Sequence, residues 1–360
     1  MNRKQSRHRI STLDSIVWTE NTMLVALLFA TASVAAPVTA TARVYSIFEI
    51  QYTTEPDGRS PLEGQVVDCL GGVVTHKFAG GKPKLTLQDP NHPSAWGAIQ
   101  VKDGLAGAPL FHEVSIGDWV TLSNVYVEEF RGNTTLQCLP DNNPTLTIVS
   151  RDNPLPEPLV VMPDQIASPV EDSLGDWYVA THKAEKYEHM RLKVVKVTVG
   201  AMNLGKAADN YVLQSVPDSN EPPASCWATD YMNADTTDDY HPSVSAGQRF
   251  CRVEGILEQY TNTREGWDYY QLVTTGTRDL SVSQTADLDD DCDVDFLDFG
   301  LFAEGWLADC TAEAGTCGRA DLDEDRSVRI DDLAQLAEHW LDGRFIKHRG
   351  DHDGPPDKLE

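Results

Sequence analysis

The sequence has little positive charge. Its 360 residues contain 29 Lys and Arg but 56 Asp and Glu, which gives a net charge of −27. Tight, salt-dependent binding to long nucleic acid requires a basic surface, and this composition argues against it. The sequence also lacks a Gly-x-Ser-x-Gly elbow, a Gly-Lys-Ser phosphate loop and a Cys-x-x-Cys pair. Because it offers no recognisable nucleophile, phosphate cradle or zinc knuckle, it favours a non-catalytic protein.

The apolar run at residues 23–36 is too short for a comfortable membrane span. It follows a basic segment and precedes Ala-Thr-Ala at 40–42, a small-residue cleavage signal. We therefore predict a signal peptide over 1–42 and a secreted or cell-surface protein with no stable membrane insertion after cleavage. An uncleaved anchor is the alternative.

Cysteines are few, and their number is odd. Seven cysteines in a secreted chain predict disulfides with one residue left over. Three pairs share a region of the sequence: Cys69 with Cys138, Cys226 with Cys251, and Cys310 with Cys317. The last pair could close a small loop, and Cys292 would be the odd one. The sequence leaves the connectivity open.

Two stretches, 43–150 and 176–283, show the alternation and turn signals of short β-strands. In the first we predict strands at 65–74, 85–89, 96–101 and 119–130, and a hairpin turn at 79–82. About five short strands in roughly 100 residues suit a small closed barrel.

The second stretch repeats the first at a constant offset. Gly117 maps onto Gly247, and with the same offset Glu128–Phe130 maps onto Glu258–Tyr260. Between the two stretches, residues 151–175 contain five prolines and are predicted to form a stiffened linker.

The order of these features resembles bacterial extracellular OB-fold domains. The features that carry the resemblance are a hairpin, Leu-Gln-Asp at 87–89, a Trp-containing strand, Ile-Gly-Asp at 116–118 and a long strand. The resemblance implies a multidomain chain with two all-β OB-fold-like barrels, over 43–150 and 176–283. A β-sandwich is the alternative.

OB folds bind oligonucleotides and oligosaccharides on one sheet face, where aromatic side chains can stack on the ligand. The candidates for that face are Trp96, Phe130, Trp227, Tyr260 and Tyr269, with Trp267 and Tyr270 beside them. Most of them could equally be core residues. Tyr269 and Tyr270 are adjacent and point to opposite faces of a strand, so we expect at least one to be exposed.

The C-terminal region contains one unit twice, in constant register: 286–298 matches 320–332, and Trp306 matches Trp340. A repeat that keeps register through a polar loop and an apolar face predicts a folded unit. A 12-residue loop supplies Ca²⁺ with oxygens from positions 1, 3, 5, 7, 9 and 12. In the first copy these are Asp287, Asp289, Asp291, the Asp293 carbonyl, Asp295 and Asp298. In the second they are Asp321, Asp323, Asp325, the Ser327 carbonyl, Arg329 (without a side-chain oxygen) and Asp332.

Each loop precedes apolar residues at helical spacing, and two such stripes can bury each other. The stripes consist of Phe299, Phe302 and Trp306, and of Leu333, Leu336 and Trp340. Residues 287–343 carry 18 acidic and 3 basic side chains, so a disordered acidic segment is the alternative.

This pattern resembles the type I dockerin module, a pair of calcium loop–helix units without the entering helix of an EF-hand. The resemblance spans 286–343 and implies a small all-α module, two Ca²⁺ sites and a cohesin-like or cell-surface protein partner. Cys292 and Arg326 stand at loop position 6, where Gly is usual. Positions 10 and 11 carry Phe296, Leu297, Ile330 and Asp331 in place of the usual small hydroxyl residues.

We therefore predict a secreted, non-catalytic, calcium-binding assembly or adhesion protein whose barrels bind a polymer or a protein, followed by a flexible tail over 344–360. One alternative is an accessory component or enzyme of extracellular polysaccharide catabolism, with a carbohydrate ligand. The other is an extracellular oligonucleotide-binding protein.

Overall fold

The computed structural model describes residues 43–78, 83–103, 113–202, 204, 210–216, 223–229, 244–275, 279–289, 291–310, 317 and 319–341. The predicted signal peptide at 1–42, the hairpin turn at 79–82 and the tail at 344–360 lie outside these residues. Within the described residues, no helix has the length and apolar character needed to cross a membrane.

The first half of the described chain consists of strands and a short α-helix. In order these are β1 (Val44–Tyr45), α1 (Ile47–Gln51), β2 (Val66–Phe78), β3 (Lys84–Gln88), β4 (Ala98–Asp103), β5 (Trp119–Phe130), β6 (Asn133–Cys138) and β7 (Thr145–Ser150). The strands pair in the order β2-β3-β4-β6-β5, and β5 returns to β2. Among the described strands of this ring, only β4 and β6 pair in parallel. The closed ring of five strands has the Greek-key connectivity of the OB fold.

The second half repeats this architecture. Its elements are β8 (Leu159–Val160), α2 (Pro163–Ile166), β9 (Val170–Glu171), β10 (Trp177–Tyr178), β11 (Arg191–Met202), β12 (Tyr211–Ser215), β13 (Ser225–Thr229), β14 (Arg249–Asn262), β15 (Trp267–Val273) and β16 (Leu280–Val282). The ring is β11-β12-β13-β15-β14, closed from β14 to β11. The long strands β5 and β14 start at Trp119 and Arg249, the spacing that the sequence repeat predicts. The predicted all-β, OB-fold-like barrels are confirmed.

A bulge in β5 explains how a long strand can close a small ring. Val120 and Leu122 are buried two residues apart, but the next buried position is Val125. Asn124 adopts a left-handed backbone (φ 56°) and donates its N–H to Asp68 Oδ1 at 2.9 Å. Such a bulge shifts the register and bends the strand, which a closed barrel requires.

The proline-containing segment is more than a linker. β8 pairs in parallel with β11, and β9 pairs with β10 at the edge of the second sheet. Val161 and Ile166 are buried in the core of the second barrel. Apolar side chains that pack on the barrel therefore hold the predicted linker segment 151–175 in place over much of its length.

The predicted strand at 96–101 is wrong at its start, because β4 begins at Ala98. Trp96 has a left-handed backbone (φ 58°), and its N–H donates to Lys186 O of the second barrel at 2.6 Å. A contact between barrels therefore determines the backbone at Trp96, and sequence alternation could not show it.

The C-terminal segment contains two nine-residue helices, α3 (Phe296–Glu304) and α4 (Ile330–Glu338). The chain leaving α3 donates Leu307 N–H to Val328 O at 3.0 Å, and the chain leaving α4 donates Leu341 N–H to Val294 O at 2.8 Å. Each helix is therefore tied to the loop that precedes the other helix.

The helices bury only part of the predicted stripes. Phe302 and Leu336 are 1% exposed, as expected, but Phe299 and Trp306 are 42% and 40% exposed. The expectation that they are buried is wrong, because Phe299 lies edge-on against Trp340 at the surface.

Two disulfides are present among the described residues, Cys251–Cys292 and Cys310–Cys317. The second closes the small loop that the sequence suggests. Cys292 is not the odd cysteine: β16 pairs with β14 and brings the following residues beside Cys251. Cys69, Cys138 and Cys226 are buried and lie outside the disulfides.

Candidate functional site

The loop over 287–298 turns several carboxylates toward one point. The side-chain oxygens of Asp287, Asp289 and Asp291 lie within 4.8 Å of one another. One backbone N–H orients two of them: Asp291 N–H donates to Asp287 Oδ1 and to Asp289 Oδ1, both at 3.0 Å. Converging carboxylates of this kind are what a hard divalent cation prefers.

Asp298 closes the loop from inside α3. Its carboxylate is completely buried. Oδ1 accepts the N–H of Leu288 at 2.6 Å and of Asp289 at 3.2 Å, while Oδ2 accepts the N–H of Asp295 at 2.7 Å. The predicted ligand Asp295 also caps α3 by accepting Leu297 N–H at 2.8 Å.

Asp293 is buried at the centre of the first loop, and its N–H donates to Asp291 Oδ1 at 3.0 Å. Its predicted role depends on its carbonyl oxygen. The corresponding Ser327 is also buried and donates its N–H to Asp325 Oδ1 at 2.9 Å.

The second loop, 321–332, repeats this geometry. Asp321, Asp323 and Asp325 form the corresponding cluster, with oxygens within 4.8 Å of one another. Asp332 is buried, and its Oδ1 accepts Leu322 N–H at 2.7 Å while its Oδ2 accepts Arg329 N–H at 2.7 Å.

The residues of both loops fit a divalent cation. Asp321 Oδ1 is buried, and within the described part of the chain it has no hydrogen-bond partner. A carboxylate oxygen in that state needs a cation or a donor. Cys292 and Arg326, at position 6, adopt left-handed backbone at φ 76° and 74°. The sharp turn expected at position 6 is therefore present in both loops, without the usual glycine.

An apolar surface lies next to the first loop. Phe296 and Leu297 are 70% and 63% exposed, and Ile330 at the matching place in the second copy is 65% exposed. The Phe296 ring contacts Trp340 edge-on at 5.0 Å between centroids. Phe299 contacts the same Trp340 ring, and we call Phe296, Leu297 and Phe299 the helix-start patch. Exposed apolar side chains grouped in this way are typical of interaction surfaces.

The two barrels pack face to face, and this covers the predicted ligand face of the first. Ala98 on β4 belongs to the hydrophobic core of the second barrel. Gln88 Oε1 at the end of β3 accepts Arg191 N–H at 3.1 Å, and Lys84 Nζ lies 3.7 Å from Glu258 Oε1. A stacked ligand therefore has no access to strands β3 and β4 where these contacts lie.

The predicted ligand-face aromatics are mostly packing residues. Trp227 and Tyr269 are 1% and 4% exposed, and Tyr270 is completely buried. The expectation that Tyr269 or Tyr270 is exposed is wrong, because the second barrel has its core on one side of β15 and Glu185 on the other. Phe130 is 38% exposed, with Lys102 Nζ 3.7 Å from its ring centre.

Tyr260 and Trp96 lie at the contact between the barrels rather than on an open face. Arg131 donates to the Tyr260 hydroxyl at 2.9 Å. Trp96 lies edge-on to Tyr52, at 5.8 Å between centroids.

A cleft of about 400 Å³ opens where the barrels meet. Polar and charged side chains line it, chiefly Asp57, Arg59, Glu129, Arg131, His182 and Asp268. Gly132 also lines it, and a side chain there would collide with Thr261 and Gln259. The sequence repeat maps Glu129 onto Gln259, but it does not predict that both residues line one cleft.

His182 connects the cleft to a buried carboxyl group. Its Nε2 lies 3.3 Å from Asp268 Oδ2, and its Nδ1 lies 3.1 Å from the Tyr270 hydroxyl. The hydrogen bond with Asp268 raises the pKa of His182. The Tyr270 hydroxyl in turn donates to Glu185 Oε2 at 2.6 Å. The arrangement can hold or pass a proton.

Two buried glutamates lie under the cleft. Burial raises the pKa of Glu185 to about 8. Burial and the neighbouring Glu185 raise the pKa of Glu188 well above its usual value. Glu188 Oε2 accepts Thr134 N–H at 3.1 Å and Gln51 Nε2–H at 3.3 Å, both from the first barrel. These acids are therefore part of the contact between the barrels.

No family model matches the chain, and no curated protein matches it. Among solved structures, fission yeast Pot1 with ssDNA is 12% identical at a TM-score of 0.28, covering 65% of this chain and 84% of that one. The OB domain of Ta0387 from Thermoplasma acidophilum is 15% identical at a TM-score of 0.19, covering 32% and 93%. A replication protein A heterotrimer bound to ssDNA is 12% identical at 0.21, covering 68% and 70%. Since these TM-scores lie below 0.5, the OB fold assigned here rests on the strand connectivity.

Proposed function

We propose that this chain is a secreted, non-catalytic assembly or attachment protein whose dockerin-like C-terminal module binds two calcium ions. The observation that carries the proposal is the repeated loop geometry. Asp298 and Asp332, at matching positions of the two copies, each accept three backbone N–H groups. Repetition of this detail supports two cation loops rather than two solvated acidic segments.

Calcium, when bound, supplies positive charge that offsets the clustered aspartates. The chain supplies the oxygens and the backbone that orients them. Because α3 and α4 are short, their stability depends on packing against each other and on the loops. An ordered module then presents the helix-start patch to a protein partner.

Replacing Phe296 and Leu297 by Ser should weaken calcium-dependent attachment to the envelope fraction of the producing cell. The two side chains are exposed and help to form the patch, so the loops should still bind calcium. Sedimentation of purified protein with the envelope fraction, with calcium or with chelator, measures the effect. A matched control is Val170→Ser and Leu174→Ser, at exposed apolar positions of the second half.

We expect at least a tenfold loss for the patch variant and no change for the control. The proposal is wrong if wild-type protein sediments equally well in chelator. It is also wrong if the patch variant binds as wild type does.

The polar cleft favours a second candidate function, accessory binding of an extracellular polysaccharide. Its carboxylates, guanidinium groups and amides can hydrogen-bond vicinal hydroxyls, and a negatively charged sugar suits Arg59 and Arg131. The cleft also falls within the volume range of small-ligand sites.

Calorimetry with oligogalacturonate, a neutral glucan oligomer and a single-stranded oligonucleotide tests this function. We expect binding of the acidic saccharide that weakens about tenfold in Arg131→Ala, because the guanidinium lines the cleft. Arg151→Ala, outside the cleft, is the control. Binding of none of the three contradicts the polymer function, and preference for the oligonucleotide supports the remaining alternative despite the net charge of −27.

A further inference from the structure

The first cation loop is joined covalently to the second barrel. Cys251 lies on β14 and is 5% exposed, and its disulfide partner Cys292 is position 6 of the loop. The Cα atoms of the two cysteines are 5.4 Å apart, a normal separation for a disulfide. The second loop has Arg326 at the matching position, exposed and without any such bond.

The barrel also touches the aspartate at position 1. Asp287 Oδ2 lies 3.7 Å from Cys251 Sγ and accepts Cys292 N–H at 3.0 Å. Ser283 donates its N–H to Arg249 O on β14 at 3.1 Å, which fixes the chain just before the loop. Asp287 is consequently 2% exposed, whereas its counterpart Asp321 is half-buried.

Cys292 is the residue at which the loop needs this support. Its φ of 76° is a left-handed conformation that glycine adopts freely and a residue with a side chain does not. The disulfide at this residue holds the turn before any ion arrives. It therefore also holds the N–H groups of Asp291 and Cys292, which donate to the Asp287 carboxylate.

We infer that Cys251 of the second barrel is a positioning residue for the first calcium site, so that this site depends on the barrel and the second site does not. The inference rests on the proposed calcium binding. It makes the first loop a pre-organised, tighter site and the second an open, weaker one. Groups that orient metal ligands without touching the metal typically contribute about 10- to 100-fold in affinity.

Calorimetry with CaCl₂ on protein 43–360 in two single-site backgrounds tests the inference. Asp323→Ala, at position 3 of the second loop, leaves the first site, and Asp289→Ala leaves the second; both variants keep the buried carboxylates Asp298 and Asp332. The double change Cys251→Ser and Cys292→Ser, added to each background, should weaken the first site roughly 10- to 100-fold and leave the second unchanged. Cys310→Ser with Cys317→Ser, which removes the other disulfide, should leave the first site unchanged.

Cys251→Ser with Cys292→Gly separates the effect of the disulfide from relief of backbone strain. Glycine at position 292 relieves the backbone strain, but the covalent bond to the barrel is still missing. We therefore expect the first site to stay weakened. Full recovery with glycine overturns the positioning role of Cys251. An unchanged first site in the Ser pair, or an equal loss at both sites, also overturns it while the proposed calcium binding stands. Absence of calcium binding in both parent backgrounds overturns both.

Discussion

Replacing Asp298 by Ala is expected to remove calcium binding at the first loop and to unfold α3 even in excess calcium. The buried carboxylate accepts three backbone N–H groups, in one buried and two partly buried hydrogen bonds, and alanine leaves all three without an acceptor. At about 1 kcal/mol each, the lower end for an unsatisfied buried group, the loss is about 3 kcal/mol. That corresponds to roughly a 100-fold fall in hydrogen-exchange protection across 296–304.

The loss should extend to α4, because Val294 accepts the N–H of Leu341 and Phe302 packs in the same core as Leu336. Hydrogen exchange monitored by mass spectrometry, with calcium and with chelator, measures both helices. Asp331→Ala is the matched control: this exposed aspartate is the neighbour of Asp332 and is not a predicted ligand. Protection of 296–304 that survives in Asp298→Ala would contradict the role of the carboxylate, and protection unaltered by chelator would contradict the need for an ion.

Local sequence patterns predicted the barrels well. The long strand 119–130 has the predicted bounds, because its turn at Gly117, its alternating apolar residues and its end at Gly132 are all local signals. The offset that maps Gly117 onto Gly247 correctly identified β14 as the counterpart of β5, since a repeated fold keeps its buried positions in register. The C-terminal repeat places the three clustered aspartates of each loop at matching positions for the same reason.

What the sequence could not show is how separate folded parts meet. Tyr269 and Tyr270 point to opposite faces of β15 and are both buried, because Glu185, from the segment before β11, covers the Tyr270 side. The His182–Asp268 pair and the Cys251–Cys292 bond join residues that are far apart in sequence, so no local period indicates them. The docking of the barrels creates the cleft and closes the first barrel's predicted ligand face.

Replacing Glu185 by Gln is expected to make the stability of the barrels less sensitive to a rise in pH from about 4.5 to about 8. Burial raises the pKa of Glu185 to about 8 in the folded chain, above its value of about 4.5 when exposed. The buried acid is therefore uncharged near neutral pH, and the contribution of this group to stability is complete below about pH 4.5. It declines as pH rises towards 8, because the unfolded chain releases the proton first.

The decline is on the order of 1.4 kcal/mol per pH unit for one group. Gln keeps an oxygen for the Tyr270 hydroxyl and cannot ionise, so the unfolding free energies of variant and wild type should be similar at pH 4.5. The variant should become progressively more stable, by several kcal/mol at pH 8. Urea unfolding at constant calcium concentration, followed by tryptophan fluorescence, measures the difference in unfolding free energy. The exposed control Glu157→Gln shows how much of the pH dependence comes from groups other than Glu185, such as the acidic loops. If the difference between Glu185→Gln and wild type does not change between pH 4.5 and 8, Glu185 does not titrate as a buried acid at the contact between the barrels.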